Sequence, residues 1–162
     1  MAAGSTYTPI ATTTLGSDQS SVTFSTISGS YTDIVLIATT PSTQVAQNMK
    51  LEINSDTGTN YSLTTLGGTG SSTFSDRETS TATPSVLYLG ADSNGIMHFQ
   101  NYSNTTTYKT VLIRSNAPSN NTMARVLLWR STSAITSIKI KRESTNDIKS
   151  GSTFTLYGIA AA

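Results

Sequence analysis

The sequence predicts an all-β protein, a jelly-roll-like antiparallel β-sandwich of about nine strands in a single domain. Three observations predict it. Apolar residues come in short, strand-sized runs, the longest being Ile34 to Ala38. These runs alternate with polar residues at period two and are cut repeatedly by Gly, Asn, Asp, Ser and Pro. No stretch carries a helical apolar stripe, and the Thr-rich, β-branched composition disfavours helix.

Taken in order, residues 1–20 read as an N-terminal arm and first strand region, with 1–6 a disordered tail by composition, and residues 21–162 as the sandwich. Ser21 to Ile27 alternates Val22 and Phe24 with polar residues. Asp33 to Thr39 is apolar on both faces, as a central strand should be. Met49, Leu51 and Ile53 alternate with Lys50, Glu52 and Asn54. Asn54 to Asn60 reads as an Asx-stabilised hairpin turn leading into Tyr61 to Leu66. Gly67 to Pro84, rich in Gly, Ser and Thr around Asp76-Arg77-Glu78, reads as a long exposed loop.

Further on, Ser85 to Gly90 and Ile96 to Tyr102 flank Ala91-Asp92-Ser93-Asn94-Gly95, a hairpin signal ending in Asn-Gly. Tyr108 to Arg114 and Met123 to Arg130 bracket a loop containing Asn116, Pro118, Asn120 and Asn121. Ala134 to Lys141 sets Ile138 and Ile140 on one face with Lys139 and Lys141 on the other. Ser152 to Ile159 sets Phe154 and Leu156 against Thr155 and Tyr157.

Composition bounds the chemistry. A chain of 162 residues can bury roughly 70% of its unfolded surface and needs no covalent staple. It has no cysteine, which excludes disulfides, thiolate metal sites and a cysteine nucleophile. Ten basic and nine acidic residues give a formal net charge of +1, so no global field steers it to nucleic acid or anionic membrane. Only 12% of residues are charged, and Ser plus Thr make up roughly a third of the chain. Such a hydroxyl-rich surface packs against neighbours without stripping water from many charges. Met1 to Ser5 lacks the basic and apolar regions of a secretory signal, and no run is long enough to span a bilayer, so synthesis in a cytoplasm is expected.

Candidate catalytic groups are few. The one histidine, His98, lies mid-strand in Ile96-Met97-His98-Phe99, with no Gly-x-Ser-x-Gly elbow in the chain, and reads as structural. Asp76 and Glu78 would share one strand face if that stretch were extended, with Arg77 pointing away. That is the spacing from which a carboxylate pair for glycoside hydrolysis could be built, but a solvated loop is the simpler reading. Asn54 to Asn60 places oxygen side chains around Gly58, a spacing that can wrap calcium, although the distal bidentate glutamate of an EF-hand is missing and a turn explains it as well. Lys139, Lys141 and Arg142, with Arg125 and Arg130 on the preceding strand, read as a solvated outer face that guards against edge pairing. Trp129 reads as core, and the tyrosines near strand ends suit subunit contacts. Sequons beginning at Asn60, Asn101, Asn104 and Asn120 arise by chance in this composition. The chain is expected to be no enzyme, with no catalytic, cofactor-binding or metal-ligating residue nominated.

Several segments resemble small tailed-phage virion proteins of β-sandwich type: Lys50 to Tyr61, Trp129 to Thr132, Ile135 to Ile138 and Gly151 to Ile159, together with Tyr7 to Leu15 and Val22-Thr23-Phe24. The resemblance spans about half the chain, both ends included. It implies a virion location and a role as a capsid decoration (cement) protein or a tail-fibre-type appendage, and it brings no catalytic residues. No fibre-like repeat or heptad is present, which favours the decoration role. The expected partners are further copies of the chain, a trimer by analogy, and the major capsid protein or another virion protein, with neither nucleic acid nor membrane. The alternative is an appendage that binds host-surface glycan through loop groups around Asn54–Tyr61 or Gly67–Thr83.

Overall fold

A computed structural model describes residues 6–118 and 121–160. The chain is all-β, with twelve strands among the described residues: β1 Tyr7–Thr14, β2 Ser21–Phe24, β3 Asp33–Thr39, β4 Gln47–Ile53, β5 Tyr61–Gly68, β6 Thr73–Thr81, β7 Ser85–Leu89, β8 Asn94–Phe99, β9 Lys109–Ala117, β10 Asn121–Trp129, β11 Ile138–Arg142 and β12 Thr153–Ile159. They form two antiparallel sheets. One has eight strands in the order β1-β12-β3-β8-β9-β10-β5-β6, and the other has four in the order β2-β11-β4-β7. This is the sandwich that the period-two pattern predicts.

The core lies between the sheets. Val22, Phe24, Met49, Leu51, Ile53, Leu87, Leu89, Ile138 and Ile140 come from the small sheet. Leu36, Met97, Phe99, Val111, Ile113, Leu127, Trp129, Leu63, Phe154 and Leu156 meet them from the large one. Each buried set occupies alternate positions of its strand, as side chains on one face of a pleated strand must.

Three sequence expectations are corrected. The strand count is twelve rather than about nine, and one added strand runs through the segment expected to be a loop. Of Gly67–Pro84, only a turn at Thr69–Ser72 and the approach to β7 are non-strand, and residues 73–81 pair with β5 as β6. The turn closes with Thr69 N–H donating to Ser72 O at 2.9 Å and with Gly70 at φ +89°. Phe74 is the one large apolar residue of β6, so alternation could not announce it. Its ring lies over Gly67, where a Cβ would meet it at 2.3 Å.

The second correction concerns Ala91 to Gly95. No hairpin forms there, because β7 belongs to the small sheet and β8 to the large one, and the segment crosses between them. Gly95 serves as a packing position, not a turn. A Cβ there would meet Leu87 Cδ2 at 2.7 Å and Leu89 Cδ2 at 3.3 Å, so the glycine lets β7 settle on the large sheet. In the third, Asn54–Asn60 carries the expected Asx turn but likewise links the two sheets, β4 to β5. The loop between β9 and β10 does join paired neighbours, with Ala117 opposite Asn121. The expected tail at residues 1–6 lies, for residues 1–5, outside the described residues. Tyr7–Thr14 is hydrogen-bonded to β12 along the edge of the large sheet.

Candidate functional site

The outer face of the eight-stranded sheet departs from the usual polar exterior of an antiparallel sheet. Its side chains stand in cross-strand rows. Val35, His98, Leu112, Val126 and Thr64 are successive neighbours across β3, β8, β9, β10 and β5. The next row runs Ile37, Ile96, Arg114, Ala124 and Leu66. Tyr7, Leu66, Leu112 and Val126 remain 49%, 60%, 42% and 46% exposed, so the apolar stripe is open to solvent.

The face is also hollow. Tyr7 of β1 and Thr64 and Leu66 of β5 line a single cavity of about 360 Å³, although six strand-to-strand steps separate β1 from β5. On a flat sheet those strands would lie roughly 29 Å apart. The sheet therefore curls about this face into a trough. A second cavity of about 860 Å³ continues it past Arg114 to Asn94, Asn116, Thr122 and Gly68. Leu66, Ile96, Arg114 and Ala124 line both, so Arg114 is the one charged residue at their junction.

Electrostatics on this face are sparse. Within the trough, His98 Nε2 lies 2.7 Å from Asp33 Oδ2, and Asp33 Oδ1 accepts from the Asn101 N–H at 2.7 Å. His98 is thus held in mid-strand as expected, on the trough wall. Among the described residues no hydroxyl is hydrogen-bonded to it. The Arg114 side chain has no ion-pair or hydrogen-bond partner among the described residues.

The other sequence candidates lie elsewhere. Asp76 and Glu78 do share one face of β6, opposite Thr65 and Leu63, with Arg77 opposite Thr64 on the other face. They lie on the face of the sheet that carries Leu63 and Thr65, away from the trough, with Asp76 exposed and Glu78 half-buried. Burial pushes the Glu78 carboxyl up and the nearby Asp76 charge adds to this, while Arg125 and Lys50 oppose it. Arg125 is no part of a solvated outer face, which corrects that expectation. It alternates with Leu127 and Trp129, is 7% exposed, and donates to Thr65 Oγ1 at 3.3 Å and Asn48 Oδ1 at 3.4 Å. Its Nη1 is buried without a partner.

Lys139 and Lys141 do lie on the outer face of the small sheet, where they bracket the buried Glu52. Lys139 Nζ stands 3.4 Å from Glu52 Oε2, and Lys141 bonds Oε1. Arg142 pairs with Asp147. Arg130 spans from Ser62 Oγ at 2.5 Å to the Thr59 carbonyl at 2.9 Å.

In the Asn54–Tyr61 loop the polar groups are turned inward. Asp56 accepts from Gly58 N–H at 2.8 Å, from Asn60 Nδ2 at 2.9 Å and from Trp129 Nε1 at 2.7 Å. Tyr61 Oη donates to the Asp56 carbonyl at 3.0 Å. Asn54 Oδ1 accepts from Thr136 and Ser137 N–H, and its Nδ2 donates to Ala134 O. These bonds account for the spacing as a turn and leave Asp56 and Asn54 little free valence for a sugar. Trp129 is core, as expected, stacked on Tyr61 at 6.4 Å between ring centroids. No cluster of three or more potential metal ligands, and no helix able to cross a membrane, occurs among the described residues. Sequence reasoning missed the trough because its residues come from six non-adjacent stretches. The signal available was the apolar character of both faces in β3.

No family model and no curated protein matches the chain. Among solved structures it is similar to an alginate lyase, Aly36B, at 11% identity and TM-score 0.33, covering 91% of this chain and 77% of that one. It is similar to Scytalido-glutamic peptidase with a peptide-based transition state analog at 12% identity and TM-score 0.29, covering 90% of this chain and 66% of that one. A protein of unknown function, SO2946 from Shewanella oneidensis MR-1, is similar at 9% identity and TM-score 0.22, covering all of this chain and 82% of that one. Likenesses this distant carry no argument about what the chain does.

Proposed function

We propose that this chain is a virion structural protein of a tailed phage, a capsid decoration protein that works by binding and not by catalysis. The observation that carries the reading is the trough. An open apolar stripe of Tyr7, Leu66, Leu112 and Val126 lies on a protein whose surface is otherwise hydroxyl-rich and poor in charge. Contiguous exposed apolar surface of this kind marks interaction sites in soluble proteins. The resemblance of the Lys50–Tyr61 and Gly151–Ile159 segments to virion sandwiches supports placing the partner in a phage particle. Decoration proteins act by burying interface on neighbouring shell subunits, so that many modest contacts add through symmetry. Further copies of the chain and the major capsid protein are the proposed partners.

Cryo-electron microscopy of intact particles, with separate head and tail reconstructions, tests this reading. Density for the sandwich on the head lattice is the expected result. Density confined to the tail or its fibres would replace the decoration role with an appendage role in host binding. Absence from purified particles would end the virion reading altogether.

A further inference from the structure

We propose that the trough on the outer face of the eight-stranded sheet is a peptide-docking site, and that its occupant is an extended segment of a partner protein carrying an acidic side chain flanked by aliphatic ones. This rests on reading the chain as a binding protein. Shape comes first: β1 and β5 approach across the curled face, so the trough admits an elongated, convex object and not a second flat sheet. The two cavities adjoin over Leu66, Ile96, Arg114 and Ala124, which gives room for a segment longer than one side chain.

Chemistry selects the class. The smaller cavity is lined mainly by aliphatic side chains, among them Val35, Leu66, Ile96, Leu112 and Val126, with Tyr7 and the His98 imidazole, itself bonded to Asp33, its two aromatic rings. Saccharide sites rely on aromatic faces for stacking, and this lining offers few. Aliphatic side chains of a peptide fit it. Charge then fixes the central residue. Arg114 has no ion pair, and the one carboxylate on its face in β3, Asp33, is taken up by His98 and the Asn101 N–H. A guanidinium at the junction of two partly enclosed cavities favours a carboxylate, which it can hold by a bidentate pair. The trough floor consists of side chains, so recognition is by side-chain pockets and not by addition of a strand to a sheet edge.

The test is selection of a displayed random linear peptide library on the intact protein, in parallel with Arg114→Glu and Val126→Glu. Both replaced side chains are exposed, and unchanged thermal unfolding would show that the variants fold. An enriched Asp- or Glu-centred motif with aliphatic neighbours is expected, with synthetic peptides of that motif losing roughly tenfold or more in affinity on either variant. No enriched motif, or a motif whose binding ignores both substitutions, would overturn the proposal. So would binding of an oligouronate, lost on Arg114→Glu, in the absence of any peptide motif. Head localisation with no peptide motif would sink this inference and leave the decoration reading intact. A motif with no virion density would do the reverse.

Discussion

Asp56 ties the loop between the sheets to the core, and its replacement by alanine tests whether that loop is a structural turn. The carboxylate accepts from Gly58 N–H, from Asn60 Nδ2 and from the Trp129 indole N–H. Trp129 is 2% exposed, so loss of its acceptor leaves a donor unpaired in the core, at a cost of about 1–3 kcal/mol. Loss of the bonds to Gly58 and Asn60, which are open to water, adds about 1 kcal/mol. Asp56→Ala should therefore cost about 3 kcal/mol, a large part of the stability of an ordinary domain. Urea unfolding followed by the fluorescence of Trp129, the single tryptophan, measures it.

The pH dependence has a definite sign. Burial acts to raise the Asp56 carboxyl, but hydrogen bonds from Trp129, Asn60 and Gly58 outweigh it and hold the group below its ordinary value. A lowered carboxyl contributes stability that is present above the unfolded-state value and is lost as pH falls through the folded one. The gap between wild type and Asp56→Ala should accordingly be full at neutral pH and narrow in the acid range. A cost below about 0.5 kcal/mol would refute the account, since substitutions free of such features fall in that range. A rise in the wild-type midpoint with added calcium, absent in Asp56→Ala, would also refute it and make the loop an ion site.

Three further outcomes follow from the packing. Glu52→Ala removes the carboxylate that Lys139 and Lys141 share and leaves two like charges close together, and should cost about 2 kcal/mol by chemical denaturation. Burial alone would raise the Glu52 carboxyl, but its lysine partners hold it lowered, so this contribution too is present at neutral pH and fades on acidification. Gly95→Ala presses a Cβ against Leu87 and Leu89 and should lower stability by about 1–3 kcal/mol, whereas Gly16→Ala, with nothing within 4 Å, should stay within about 0.5 kcal/mol. Arg125→Met should be nearly neutral or stabilising by calorimetry, because it replaces a buried guanidinium whose Nη1 is unpaired with an apolar chain of similar length.

Strands announced by period-two alternation were legible in the sequence with little error. Asp33–Thr39 is central, apolar on both faces, and lies between β12 and β8. Lys139 and Lys141 lie opposite Ile138 and Ile140, as the spacing requires. What alternation does not encode is which sheet a strand joins. Asn94-Gly95 carries a strong hairpin signal, yet the glycine is used for the close approach of Leu87. The same residue type serves turns and tight packing, and only the fold separates them. β6 escaped notice because its pairing rests on backbone hydrogen bonds to β5 and on one ring over Gly67, with almost no apolar pattern of its own. Arg125 misled for a related reason: its charge suggests solvent, while its parity with Leu127 and Trp129 places it inside. The trough is a property of sheet curvature, which joins Tyr7 to Leu66 across most of the width of the large sheet.

The edges of the large sheet bear on how the protein can assemble. β6 is an exposed nine-residue edge strand, a ready template for a second copy. Two copies of β6 paired antiparallel about a two-fold axis must keep their faces in common, so opposed residue numbers sum to an even value. Centred on Arg77, that pairing sets Asp76 against Glu78 and arginine against arginine. Centred on Asp76 or Glu78, it sets each carboxylate against its own copy. Every register that joins the middle of the strand thus opposes like charges, which is destabilising on a sheet face. At the other edge, β1 carries Pro9, which has no N–H to offer, and a register shift between Pro9 and Ala11. With both edges blunted, association is directed away from strand addition and toward the apolar trough. Replacing Asp76, Arg77 and Glu78 together by threonine should release the block on β6. Sedimentation velocity is then expected to show dimers or larger species that the wild type lacks at the same concentration. A variant that sediments as the wild type does would mean that the charges are not what keeps this edge unpaired.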